Sequence, residues 1–251
     1  MPRFSQFLIL IILAACNSNP QLKVDKPEFK AIASVQLDRE KLDKYFEKHE
    51  IKPVLVINNA EGNQTEIQLS KHIIKWIDTE DESKLKINND LFSLKDKATL
   101  NIVWDDRDSV DFANNWDEIK LYNVNGRELI GVRMSFHPCT GLGCNVEYFL
   151  IYDVETKTKN FFGSFHADNI LALYNFNNDN KVDYLAKTFQ GDAHGSTPNE
   201  FIYELYSLNE KGQFVFQRDA KGRTFQIKHT TFPNDSTREE LFEQRWLTEI
   251  K

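Results

Sequence analysis

Apolar and polar positions form short alternating segments along most of the chain, and one stretch departs from this pattern. Over residues 38–50, apolar side chains recur every three or four positions, at Leu42, Tyr45 and Phe46. This spacing places them on one face of a helix. Asp38 is a suitable N-cap because its carboxylate can accept hydrogen bonds from the first free amides of a helix. The pattern therefore predicts a helix over 38–50.

Apolar segments after this helix predict strands. Residues 54–57 and 65–69 flank a polar stretch that contains Gly62, and this arrangement favours a β-hairpin. Residues 78–90 are mostly charged or polar, which is typical of a loop. Residues 98–104 are apolar again and predict a further strand.

From residue 116 onward, one pattern recurs four times: an aliphatic residue and a tyrosine close an apolar segment, and a polar turn follows. Hairpins repeated in this way are typical of a meander, a propeller-like set of sheets or a barrel. The recurrence favours either a common repeat origin or independent hairpins that look alike. The four segments are Leu121-Tyr122-Asn123-Val124-Asn125, Ile151-Tyr152-Asp153-Val154-Glu155, Leu173-Tyr174-Asn175-Phe176-Asn177 and Leu205-Tyr206-Ser207-Leu208-Asn209.

The end of the sequence has a helical pattern. Ser236 and Glu239 have the S-x-x-E spacing of a capping box, and Phe242, Trp246 and Ile250 follow at intervals of four residues. This pattern predicts a short C-terminal helix.

The expected fold is mainly β with a few helices. Antiparallel strands would form a meander, a propeller-like arrangement, or a barrel or sandwich. We expect an N-terminal α+β part over 29–105 and a β-rich part over 116–251, which are also compatible with one continuous domain.

The first sixteen residues have the pattern of an export signal. Arg3 precedes an apolar run over 7–15, which is too short for a membrane-spanning helix of about 20 apolar residues and fits a signal peptide. Leu13-Ala14-Ala15-Cys16 resembles the lipobox of bacterial lipoproteins. The resemblance implies cleavage after residue 15 and lipidation of Cys16. The alternative is an ordinary signal peptide followed by an unrelated cysteine.

The residues after Cys16 bear on localisation. Residues 16–28 are polar and predict a tether without a core of its own. Asn17, rather than Asp, follows the cysteine, which by the same resemblance favours the outer membrane. The chain is thus expected in the cell envelope, attached to the membrane through its lipid, with an envelope protein as a possible partner.

Composition limits the partners. The 251 residues carry a net charge of −7, which argues against a nucleic-acid partner because such partners attract basic surfaces. The hydrophobic fraction of 41%, with 19 phenylalanines, is ample for a packed core.

Two cysteines are left once Cys16 is assigned to the lipid. Cys139 and Cys144 are an even pair in an oxidising compartment, and Gly141 and Gly143 between them permit a tight loop. The pattern predicts a disulfide. Two free thiols, or half of a zinc site with His137, are the alternatives.

One loop carries the residue types of a cation site. Asn175, Asn177, Asp179 and Asp183 supply side-chain oxygens at nearly alternate positions, and the carbonyl of Lys181 would be a backbone ligand. Ca²⁺ is a hard cation that binds about six to eight oxygens. Asn180 stands where the chain must turn sharply, and asparagine tolerates the left-handed backbone conformation there.

This loop resembles the calcium loop of FG-GAP or VCBS-type repeats, known from integrin-α-like propellers, with the pattern D-x-[DN]-x-D-G-x-x-D. Similar single loops occur in small periplasmic proteins that resemble lysozyme inhibitors. Asn175 and Asn180 replace the first Asp and the Gly, so only Asp179 and Asp183 bring charge. The implied affinity is weak, with a dissociation constant of about 10⁻⁴ to 10⁻³ M. An empty turn rich in Asn and Asp is the alternative.

Two further groups of residues are weaker candidates. Four residues on the segments that flank the calcium-type loop could form a transition-metal or acid/base site, or could be solvated loop residues: His166, Asp168, Asp192 and His194. Four aspartates could form a second cation site or a solvated acidic loop: Asp105, Asp106, Asp108 and Asp111.

No nucleophile-elbow, zinc-protease, P-loop or dinucleotide motif is present. The sequence therefore favours a non-enzymatic envelope lipoprotein that acts as a binding or interaction module. The first alternative is a periplasmic inhibitor of a wall-degrading enzyme, in which a loop at 135–145 or 191–198 would enter a catalytic cleft. The second is a hydrolase that uses His166, Asp192 and His194.

Overall fold

The computed structural model describes the chain over residues 35–36, 38–59, 64–96, 100–104, 112, 116–136, 146–165, 171–176, 180–189, 199–218, 221–232 and 235–244. Within these ranges the strands are β1 (Val35–Gln36), β2 (Glu50–Ile51), β3 (Leu55–Asn58), β4 (Glu66–Leu69), β5 (His72–Asp78), β6 (Ser83–Ile87), β7 (Asp90–Phe92), β8 (Leu100–Trp104), β9 (Trp116–Val124), β10 (Arg127–Phe136), β11 (Val146–Asp153), β12 (Thr158–Phe165), β13 (Leu173–Tyr174), β14 (Asp183–Phe189), β15 (Asn199–Leu208), β16 (Phe214–Phe216), β17 (Gln226–Phe232) and β18 (Asp235–Gln244), and the helix is α1 (Arg39–His49).

The helix forms where the sequence predicts it. Asp38 is its N-cap, and its Oδ1 accepts a hydrogen bond from Lys41 N at 3.0 Å. Leu42 is buried, and the helix ends at Glu50, whose backbone is extended.

The strands form three sheets, which we name the large, central and small sheets. The large sheet has the order β1-β18-β17-β15-β14-β13-β2, with β16 also paired to β15. The central sheet has the order β3-β9-β10-β11-β12-β8, and the small sheet is the meander β4-β5-β6-β7. All strand pairs are antiparallel except β12 with β8. The predicted mainly β fold with antiparallel sheets is confirmed.

The central sheet is buried on both faces. On β11, Tyr148, Leu150 and Tyr152 belong to a core shared with the small sheet. Phe149 and Ile151, which point to the opposite face, belong to a core shared with the large sheet. All eight residues of β11 are therefore buried, and its sequence lacks the apolar and polar alternation of a half-exposed strand.

Helix α1 covers the other face of the large sheet. Leu42 packs with Leu205 of β15 and Ile227 of β17, together with Phe176. The described domain is thus layered in the order small sheet, central sheet, large sheet and helix. Residues 33–251 form one compact unit, and none of the described helical residues forms a segment long and apolar enough to cross a membrane.

The predicted hairpin between residues 54–57 and 65–69 is wrong. Both segments are strands, but β3 pairs with β9 of the central sheet and β4 pairs with β5 of the small sheet. The two strands therefore enter different layers.

The predicted loop over 78–90 is also wrong. Residues 83–87 and 90–92 are β6 and β7. Leu85 and Ile87 are buried against the central sheet, while Lys84 and Lys86 lie on the opposite face. The charged residues of this segment therefore lie on one face of a strand whose other face is buried. The strand predicted over 98–104 is confirmed as β8 in its described part.

The predicted C-terminal helix is wrong over 235–244, which form β18. This strand pairs with β17 along most of its length and with β1 through Glu243 and Phe242. The capping-box pattern at Ser236 and Glu239 lies inside the strand, because pairing with β17 satisfies the backbone hydrogen bonds that a helix would otherwise make.

Candidate functional site

The four Tyr-containing segments all lie at strand ends, as the sequence pattern predicts. Tyr122, Tyr152, Tyr174 and Tyr206 belong to β9, β11, β13 and β15. Burial raises the pKa of the first three well above the ordinary value of tyrosine and that of Tyr206 to about 12. These phenols therefore stay protonated, and the hydroxyls of Tyr122 and Tyr152 donate to Leu171 O at 3.1 Å and to Asp90 Oδ2 at 2.6 Å.

The polar residues that follow these strand ends line one cleft of about 740 Å³, which we name the four-turn cleft. Its wall includes Asn125 from the first turn, Glu155 from the second and Asn209 from the fourth. Asn180 and Lys181 contribute from the calcium-type loop after the third. Three of the four Tyr-containing segments thus contribute residues to this cleft, and the loop after the third segment contributes Asn180 and Lys181.

Hydrogen bonds hold the first turn against the calcium-type loop. Asn125 and Gly126 both have positive φ, of 56° and 87°, the backbone of a tight hairpin turn. The side-chain amide of Asn125 donates to the carbonyl oxygen of Asn180 at 3.3 Å. From the fourth segment, Leu208 N donates to Val182 O at 2.8 Å.

An ion pair between the buried Asp153 and the half-buried Arg127 joins three of the turns. Asp153 is fully buried, and its Oδ2 accepts a hydrogen bond from Arg127 Nε at 2.5 Å. Its Oδ1 accepts from the backbone amides of Glu155 and Thr156 at 3.0 and 3.1 Å. Arg127 Nη1 also donates to Asn209 O at 3.2 Å. One guanidinium therefore fixes the first, second and fourth turns.

A buried asparagine ties the central sheet to β16. Asn160, which is fully buried on β12, donates through Nδ2 to Gly212 O at 2.8 Å and accepts at Oδ1 from Phe214 N at 2.9 Å. Asn101 Nδ2 donates to Phe214 O at 3.0 Å. These two side chains hydrogen-bond to the backbone N–H and C=O of Phe214.

Asp183, the last residue of the calcium-type loop, holds the loop to the protein interior through hydrogen bonds. Its carboxylate is fully buried at the start of β14, where Oδ2 accepts from Phe176 N at 3.0 Å and Oδ1 accepts from the hydroxyl of Ser207. Asn180 has φ of 61°, in the left-handed region that the sequence predicts for it.

Helix α1 positions the start of this loop. Asn175 N donates to His49 O at 2.9 Å, and His49 Nδ1 lies 3.0 Å from Asn175 O. The ring of Phe176 is buried and lies nearly parallel to those of Tyr45 and Tyr174, with centroids 5.7 and 4.8 Å away. The last turn of α1 and the loop therefore form one packed unit.

Two of the described loop residues bear on the predicted cation site. Asn175 Oδ1 is buried and has no hydrogen-bond partner among the described residues, and carboxylate oxygens such as those of Asp183 can accept more than one interaction. Over the described ranges, no group of three His, Cys, Asp or Glu side chains gathers as a metal site. The ligand set here would consist mainly of amide and carbonyl oxygens.

The other predicted site residues lie outside the described residues. They are Cys16, Cys139, Cys144, His166, Asp168, Asn177, Asp179, Asp192, His194 and the aspartates 105, 106, 108 and 111. The loops over 137–145 and 191–198 also lie outside them.

Comparisons with protein-family models, with curated proteins and with solved structures found no match for this chain.

Arg127, Asp153 and Asn160 are site residues that sequence reasoning missed. Their partners lie 26 to 82 residues away for Arg127 and up to 59 for Asn160, so no local motif marks them. Asp153 belongs to the second Tyr-containing segment, and its position before a turn was the one available signal.

Proposed function

We propose that this chain is a non-enzymatic lipoprotein of the cell envelope, anchored through Cys16, whose β-rich domain binds a partner in the four-turn cleft. The observation that supports this proposal is the convergence of the turns after four strand ends on one cleft, where hydrogen bonds and the Arg127–Asp153 ion pair fix these turns to one another. Fixed turns present a preformed surface, and a preformed surface lowers the conformational entropy that binding costs.

The size and lining of the cleft fit a polar ligand or a protein segment. A volume of about 740 Å³ lies within the range of about 300 to 1,000 Å³ that ligand pockets occupy. The lining carries the charged side chains of Lys181, Glu155 and Glu210 beside Arg127, which is paired with Asp153, and the side-chain amides of Asn and Gln both donate and accept hydrogen bonds. Such a lining matches the peptide groups and mixed charges of a protein segment.

Site-directed photocrosslinking in cells tests this proposal. A photoreactive phenylalanine analogue at Val215, which lines the cleft and is 46% exposed, should give a discrete crosslinked product. The same analogue at Leu91, which is 48% exposed on the small sheet, is the matched control and should give none. The product should be in the membrane fraction, and Cys16→Ser should move the protein to the soluble fraction. No product at Val215, or equal products at both positions, would contradict binding in the cleft.

We further propose that residues 175–183 bind Ca²⁺ as a structural ion, through oxygens of Asn175, Asn177, Asp179, Lys181 and Asp183. The ion would lie between the two carboxylates, whose mutual repulsion it would remove, and would hold the wall of the cleft to which Asn180 and Lys181 belong. Both Asn175 Oδ1, which is buried without a partner, and the left-handed Asn180 support this assignment.

Calcium should raise the melting temperature by a few degrees relative to chelator. A ligand that binds only the folded state stabilises it by RT ln(1 + [L]/Kd), which is about 1 to 2 kcal/mol for millimolar calcium and the weak affinity expected here. Asp179→Ala should remove the difference, whereas Asp106→Ala should preserve it. Asp183 is a poorer test position because it also accepts hydrogen bonds from Phe176 and Ser207. A calcium response that survives Asp179→Ala would place the ion elsewhere.

A further inference from the structure

A shared carboxylate joins helix α1 to the large sheet at the end of the helix opposite the loop. Glu239 Oε2 on β18 lies 2.9 Å from His229 Nε2 on β17 and 3.5 Å from Arg39 Nη1, in the first residue of α1. We name these three residues the His229 latch. Its contacts are independent of the four-turn cleft and of the calcium-type loop.

The imidazole of His229 is buried and has one unused nitrogen. Its side chain is 9% exposed, and its ring lies 6.0 Å from that of Phe201 and 6.4 Å from that of Tyr203. Nδ1 is buried without a hydrogen-bond partner within the described part of the chain. The contact with Glu239 assigns the proton of the neutral ring to Nε2.

Charged and titratable groups from four elements lie around this ring or against its neighbour Arg39. Arg39 lies between two carboxylates, since Asp43 is paired with it at 3.0 Å and Glu239 Oε2 lies 3.5 Å from its Nη1. The groups are Arg39 and Asp43 of α1, Lys187 of β14, Tyr203 of β15 and Glu239 of β18.

We infer that protonation of His229 opens this latch and releases the first turn of α1 and the adjoining part of β18 from the large sheet. A protonated ring carries a second N–H at Nδ1, where the closed latch offers no acceptor. Its positive charge also draws Glu239 away from Arg39, since both cations compete for the same oxygen. Rotation of the ring toward water satisfies Nδ1 but removes the packing against Phe201 and Tyr203.

The direction of the pH dependence follows from the difference between the closed and open latch. Burial lowers the pKa of His229 in the closed form, and this effect outweighs the opposing hydrogen bond from Glu239. In the open form the imidazole is solvated and takes up its proton near the ordinary pKa of about 6.5. The open form therefore binds more protons in the interval just below that value, and acid favours it.

Amide hydrogen exchange of α1, corrected for the intrinsic effect of pH, measures the opening. Between pH 7.5 and pH 5.5, the protection of the first turn of α1 should fall by a factor on the order of three to ten. The fall should follow the titration of the His229 imidazole resonance in the same unmodified chain. Protection that stays constant, or that falls over a different pH interval, would overturn the inference.

Two variants separate the latch from a general effect of acid. His229→Gln can still donate to Glu239 but cannot gain a charge, so its α1 protection should not change with pH. His49, the last residue of α1, is retained in this variant, so a fall that persists would assign the effect elsewhere and overturn the inference. Arg39→Gln removes the link to the helix and should lower the protection of α1 equally at both pH values. If the protection of α1 still falls with pH in Arg39→Gln, the contact between Glu239 and Arg39 does not transmit the effect of protonation, and the inference is overturned.

Discussion

Arg127→Met should lower the free energy of unfolding by about 3 to 5 kcal/mol, the usual cost of removing one partner of a buried ion pair. Asp153 is fully buried, and Arg127 is the cation that lies against its Oδ2. Methionine keeps the apolar stem of the side chain but leaves the buried carboxylate without its cation, although Oδ1 still accepts from the backbone amides of Glu155 and Thr156. It also leaves Asn209 O without the guanidinium donor. Urea unfolding at pH 7, followed by tryptophan fluorescence and by circular dichroism, gives the change directly.

Two controls show whether the buried charge is the cause. Lys52→Met removes an ion pair with Glu50 in which the lysine side chain is 67% exposed, and exposed pairs contribute at most about 1 kcal/mol. Adding Asp153→Asn to Arg127→Met removes the uncompensated charge and should restore part of the lost stability, because the amide oxygen can still accept from Glu155 N and Thr156 N. A loss in Arg127→Met no larger than that in Lys52→Met would disprove the assigned role.

Phe176→Ala should lower the free energy of unfolding by about 3 to 5 kcal/mol, the range for removing a large ring from a closed core. The side chain is 1% exposed and packs between α1 and β13. Its loss opens a cavity beside Tyr45 and Tyr174, at the point where the helix holds the calcium-type loop. Denaturant unfolding measures the stability, and the calcium-induced rise in melting temperature should become smaller in the same variant.

Leu91→Ala is the matched control for this substitution. Leu91 is 48% exposed, and the loss of an exposed side chain usually changes stability by less than about 0.5 kcal/mol. Equal effects of Phe176→Ala and Leu91→Ala would mean that the aromatic cluster does not stabilise the loop.

The helix could be predicted from the sequence because its determinants are local. Asp38 caps it within three residues, and Leu42, Tyr45 and Phe46 mark its buried face. Strand positions were also readable wherever a segment was clearly apolar, as in β3, β4 and β8. The partners of these strands could not be predicted. For example, β3 ends at Asn58 and pairs with β9, which begins 58 residues later at Trp116. Sheet pairing between distant segments leaves no local pattern.

Two strands were misassigned because their composition favours other structures. The β6 segment contains two lysines, but its buried Leu85 and Ile87 alternate with them, and this period of two was the available sign of a strand. The β18 segment contains Glu, Leu and Gln, which are good helix formers. Its pairing with β17 and β1 is a tertiary effect that outweighs this propensity.

The candidate site was partly predictable. The recurring Tyr-containing segments indicated four strand ends, and Asn180 was identified as a position that favours a left-handed backbone. The convergence of the four turns was not predictable, because it depends on how the central and large sheets pack. Arg127, Asp153 and Asn160 acquire their roles only through that packing.

The pairing of β1 with β18 also has a consequence for the order of folding. Val35 lies opposite Glu243, so the large sheet cannot complete its outer edge until residues more than two hundred positions downstream are available. The small sheet, in contrast, pairs only neighbouring segments between Glu66 and Phe92, and such local contacts form fastest. We therefore expect the small sheet to form early during synthesis or refolding. The β1–β18 pair should form last. Its formation closes a long loop of the chain, and closing a long loop costs more conformational entropy than closing a short one.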